Sequence, residues 1–162
     1  MAATESRTED VRWDLSDLCG GADEARAGWV ALVARAIDFA KRYRGQIASL
    51  DAARLRTLFD EADELGQELS RLQVYTFLRL SADATDGEAN DLTTIGRDRS
   101  AEIENELVFL GLEWIALDDA AAEKLLASPE LEPYAHKLRV EREEKPCRIR
   151  FASLAQPSRC LW

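Results

Sequence analysis

One histidine, His136, occurs in the 162 residues, and that count limits the chemistry the chain can carry alone. A catalytic zinc of the common peptidase type needs three protein ligands, usually two imidazoles from H-E-x-x-H and a carboxylate. The chain has no H-E-x-x-H. Carboxylates are plentiful, and two pairs have helical spacing: Glu102 with Glu106, and Asp60 with Glu64. A di-iron bundle would set glutamates on facing helices and add a Glu-x-x-His motif on each of two of them. Pro133 stands three residues before His136, so not even one such motif is present. These acids read as solvated helix faces, and His136 as a partly buried helical residue satisfied by Glu132 one turn back.

Nucleophilic and phosphate chemistry find no better footing. There is no G-x-S-x-G, and Ser16, Ser49, Ser70 and Ser81 read as caps or helix surface. Gly20-Gly21 is followed by Ala-Asp-Glu, whose acids would repel a phosphate. Cys19, Cys147 and Cys160 are odd in number and lack C-x-x-C spacing, which suits neither a disulfide framework nor a zinc knuckle. The expectation is therefore no catalytic residue, no cofactor-binding residue and no metal ligand in this chain.

The elements that would position such residues are helices. Trp29, Val33, Ala36, Ala40, Tyr43 and Ile47 alternate by fours and threes, which places them on one stripe from about Asp23, a candidate cap. Leu55, Leu58, Ala62, Leu65, Leu69 and Leu72 repeat the pattern over residues 51–80, with Asp51 or Ser49 as cap. Ser81–Asp86 is rich in stop and capping residues. A third helix is predicted over 86–117, striped by Leu92, Ile95, Ile103, Leu107, Leu110, Trp114 and Leu117, with Arg99 as its polar gap. The second and third helices, each about 45 Å long at 1.5 Å per residue, must form an antiparallel hairpin because the turn between them is short. Shorter helices follow at 120–127 and 130–144, with Pro133 in the first turn of the latter. No segment sustains period-two alternation. The predicted class is all-α: a long antiparallel helical hairpin with additional flanking helices.

Composition sets the partners. The net charge of −10 repels phosphate backbones and anionic headgroups, so neither nucleic acid nor a membrane surface is expected as a partner. No apolar run approaches the ~20 residues of a membrane span, and the polar start has no apolar signal core, so a cytoplasmic location is expected. The charge is unevenly spread. Residues 147–162 hold three arginines and no acid, against 21 basic and 31 acidic residues in all, which leaves 18 and 31 for residues 1–146. The chain thus divides into a mobile tail (1–12), a helical domain (13–146) and an aberrant tail (147–162), as a frameshift or truncation would leave. The heptads also allow another use, a stand-alone helical module that binds a protein partner.

Five strings in this order resemble the amino-terminal portion of oligoendopeptidase F-type zinc metallopeptidases, of the thimet oligopeptidase clan. They are Trp13–Leu18 (WDLSDL), Phe39–Gly45 (FAKRYRG), Leu69–Tyr75 (LSRLQVY) leading through Leu78 to the Asp83–Asp86 turn, Glu106–Glu113 (ELVFLGLE), and Leu131–Pro146 (LEPYAHKLRVEREEKP). The resemblance implies amino-terminal helices that wall a channel admitting oligopeptides. The zinc of intact relatives would sit on a distant carboxy-terminal H-E-x-x-H helix. Relatives continue past Pro146 with an L-S-x-x-E-E helix start; here Cys147 begins a different composition. No catalytic position of the family falls on these residues, so the chain is expected to be inactive alone. Apolar surface left uncovered is expected to drive self-association.

Overall fold

The computed structural model describes residues 13–143. The tail predicted for 1–12 and the change of composition at Cys147 lie outside the described residues. Those residues form helices α1 (Ala22–Tyr43), α2 (Ala52–Ala82), α3 (Gly87–Leu107), α4 (Phe109–Ala116), α5 (Asp119–Leu126) and α6 (Ala135–Glu143), with short 3-10 turns at Ile47–Ser49 and Pro129–Tyr134. No strand occurs among them, as period-3.6 patterning without period-two alternation predicts. The class is all-α, and none of these helices is long and apolar enough to cross a membrane.

The predicted hairpin is α2 and α3. The Asp51 carboxylate accepts from the Arg54 N–H at 2.9 Å and starts α2; of the two candidate caps it is the one used. Asp83 and Asp86 then make the turn: Asp83 accepts from the Thr85 N–H and hydroxyl, and Asp86 accepts from the Glu88 N–H to start α3. A third long helix lies with this pair. Gly28 meets Leu72 and Tyr43 meets Glu61, so α1 runs antiparallel to α2. Trp29 meets Gly96 and Arg44 meets Glu106, so α1 runs parallel to α3.

Three long helices can lie this close because their contact points are notched. A Cβ on Gly96 would stand 3.1 Å from Cζ2 of the Trp29 indole, and one on Gly28 3.1 Å from a Leu72 methyl. Gly96 and Ser100, both buried, fill the gap that Arg99 leaves in the α3 stripe. Trp29 is wholly buried there, and its indole N–H is a buried side-chain donor with no partner among the described residues. Such an orphan costs about 1–3 kcal/mol. The burial of so large a ring offsets it, since a large apolar side chain contributes about 1.5–3 kcal/mol.

Three sequence expectations are corrected here. Asp23 does not cap α1. Gly21 precedes the helix without a side-chain cap, and Asp23 sits in the first turn paired with Arg26 at 2.9 Å. The helix predicted over 86–117 is interrupted at Val108. Arg44 explains the interruption: its guanidinium takes the Glu106 carbonyl at 3.0 Å, and a side chain entering the carbonyl ladder is a recognised cause of helix bending. The helix predicted over 130–144 starts as a 3-10 turn containing Pro133, and its α-helical part begins only at Ala135. Pro133 lacks the N–H an α-turn would use, and its ring crowds the preceding carbonyl.

Candidate functional site

The residues singled out for chemistry do not converge. His136 is exposed on α6, and no hydrogen bond or ion pair links it to Glu132 or to any other described residue. The partly buried, Glu132-satisfied histidine expected from sequence is therefore corrected. Its neighbours explain why: Tyr134, Ala135 and Leu138 take the buried face of this segment, which leaves position 136 outward. Cys19 is buried, with its thiol directed to the Gly21 carbonyl at 3.4 Å. Ser81 bonds the carbonyl one turn back at 2.8 Å and Ser49 that of Gln46 at 2.7 Å, as surface and turn hydroxyls do. Among the described residues no group of three or more His, Cys, Asp or Glu side chains is arranged to hold a metal ion.

The acids read as solvated faces have more specific employment. Glu106 pairs with Arg44 at 2.8 Å across the bundle. Asp60 accepts from Arg56 at 2.7 Å and from the Tyr134 hydroxyl at 2.7 Å, joining α2 to the Pro129–Tyr134 turn. Glu102 pairs within α3 with Arg99. Glu64 remains an exposed residue, as expected.

The densest polar arrangement lies where α1 ends, and sequence reading did not find it. The chain turns through Gly45, whose φ of +78° is left-handed backbone that favours glycine. Glu113, reaching over from α4, accepts from the Gly45 N–H at 2.6 Å and the Ile47 N–H at 3.3 Å. It thereby satisfies two donors at the start of a turn, as a capping carboxylate does, but from 66 and 68 residues away. Glu61 of α2 accepts from Arg42 and from the Tyr43 hydroxyl, each at 2.7 Å. The Arg42 bond is the main reason that Glu61 titrates below the ordinary carboxylate range. Burial, and then the bond to Glu61, hold Tyr43 above the ordinary phenol range, so it serves as a donor. Arg42 also lies 5.0 Å from the Tyr43 ring centre, and Arg44 lies 5.4 Å from that of Phe109.

Beside this corner is an open groove of about 360 Å³ lined by Arg42, Tyr43, Gln46, Leu50, Arg54 and Thr57. Two guanidinium groups suggest an anion, but the local charge does not. Arg42 is engaged by Glu61 at 2.7 Å and Asp38 at 3.6 Å, and the α2 cap Asp51 stands three residues before Arg54. Arg42 is thus already engaged by acids, and the corner acts as a fastening between α1, α2 and α4.

A second fastening ties α4 to α6. The Trp114 indole N–H donates to the Leu138 carbonyl at 2.9 Å, and both residues are buried. Arg142 returns the contact: it donates to the carbonyls of Trp114 (2.8 Å) and Leu117 (3.0 Å), pairs with Asp119, and lies over the Trp114 ring. Trp114 was visible in sequence as a stripe residue. Its partners were not, because they are a backbone carbonyl and an arginine 24 and 28 residues away. In comparisons with known proteins, the chain matches no family model, no curated protein and no solved structure.

Proposed function

We propose that residues 13–146 are the amino-terminal helical segment of an oligopeptide-cleaving zinc metalloendopeptidase of the oligoendopeptidase F type. In intact relatives this segment walls the substrate channel; alone it is inactive. The observation that carries the reading is the order and spacing of the five strings. Support comes from where their polar residues sit. Tyr43, Asp83 with Asp86, Glu113 and Tyr134 each hold a joint between helices. Strings whose polar residues hold joints describe a scaffold rather than a catalytic centre.

The described residues do not fit a catalytic zinc. The one histidine is exposed on α6 without a carboxylate partner. Zinc-dependent water activation belongs, on this reading, to the H-E-x-x-H helix of intact relatives.

Two experiments test the proposal. The purified chain with added zinc should leave a quenched fluorescent oligopeptide uncut; robust cleavage abolished by a chelator would overturn the reading. Co-expression with the catalytic portion of an oligoendopeptidase F, stripped of its own amino-terminal helices, should restore chelator-sensitive cleavage. If no complex forms and no activity returns, the assignment fails. In the adjoining DNA, any reading frame that encodes L-S-x-x-E-E and H-E-x-x-H would strengthen it.

A second reading, a stand-alone helical interaction module, draws on α2. Val74 and Phe77 lie 44% and 67% exposed on the outside of this helix. A stoichiometric partner other than a peptidase catalytic portion would favour it. The first reading predicts some self-association of the isolated chain, through apolar surface that a catalytic portion would cover. A monomer with a sharp two-state melt across a wide concentration range would count against that.

A further inference from the structure

We draw no further inference here: the strongest candidate, the outward face of α2 running from Gly66 and Ser70 to Val74 and Phe77 beside Leu18, is an unpartnered and largely apolar surface, and nothing in the structure shows what covers it.

Discussion

The three long helices and the short helices after them are held by different means. Along the middle of α1, α2 and α3 the contacts are apolar and close, set by a glycine opposite a large side chain: Gly96 under Trp29, Gly28 under Leu72; polar pairs such as Arg42 with Glu61 and Arg44 with Glu106 gather at the end of α1. From α4 onward, single directed polar side chains are added to the apolar burial: Glu113 on the Gly45 turn, Trp114 on the Leu138 carbonyl, Arg142 on the end of α4, Tyr134 on Asp60. Long helices present enough surface for many weak contacts to fix their geometry. An eight-residue helix presents less, so α4 supplements its buried Phe109, Trp114 and Ile115 with a few directed bonds.

If that contrast holds, the largest loss should come from the residue that serves both modes. Trp114→Ala removes a buried ring and a buried hydrogen bond, and should lower stability by about 3–5 kcal/mol in urea unfolding. Trp114→Phe keeps most of the ring and removes the indole donor to the Leu138 carbonyl, so about 1–2 kcal/mol is expected. Equal losses for the two variants would mean that α4 is held by the hydrogen bond rather than by packing.

Glycine substitutions should separate in sign. At Gly96 the added methyl meets the immobile Trp29 ring. Overpacking of about 1–3 kcal/mol exceeds the gain of about 1 kcal/mol in helix propensity, so Gly96→Ala should destabilise by about 1 kcal/mol. Gly66, at the middle of α2, has nothing within 4 Å of its added Cβ. Gly66→Ala should therefore stabilise by about 0.5–1 kcal/mol. Thermal melts of the two variants measure the difference directly, and a shift in the same direction for both would break the notched-packing account.

The smallest effects concern pH. Glu61 titrates below its ordinary value of 4.5, chiefly through Arg42. Its contribution is present above that value and lost as pH falls through the lowered folded value. Glu61→Gln should accordingly flatten the acid limb of the stability profile. Tyr134 is raised above its ordinary 10.0 by burial first and then by Asp60. Its contribution is complete below pH 10 and lost as pH rises beyond it, so Tyr134→Phe should flatten the alkaline limb. Unfolding midpoints between pH 3 and 11 test both, and unchanged limbs would remove these residues from the set of fastenings.

The same contrast explains what could be read from sequence. Periodicity reports burial along a helix, so Leu55, Leu58, Leu65 and Leu72 marked the buried side of α2 directly. Capping acids act within three residues, which made Asp51 and Asp86 visible. Glu113 and Glu106 act across more than 60 residues on backbone and guanidinium groups. Nothing in their neighbourhood separates them from a solvated glutamate such as Glu64. The interruption at Val108 was hidden for that reason, since Arg44, which takes the Glu106 carbonyl, lies just past the end of α1 and 62 residues away. His136 was misread because its exposure follows from where the turn before α6 ends, and the proline-containing turn moved that point to Ala135.

The Glu113 contact has a consequence for local opening. Gly45 lies in a connection, where amide protons ordinarily exchange with solvent at once. Its N–H is instead held by a carboxylate on α4, so its exchange is slowed while α4 sits in the corner. Gly45 is thus a natural reporter in hydrogen-exchange measurements. Its protection, and that of the Ile47 N–H held by the same carboxylate, should follow that of the α4 amides, and should fall with theirs whenever α4 leaves the corner.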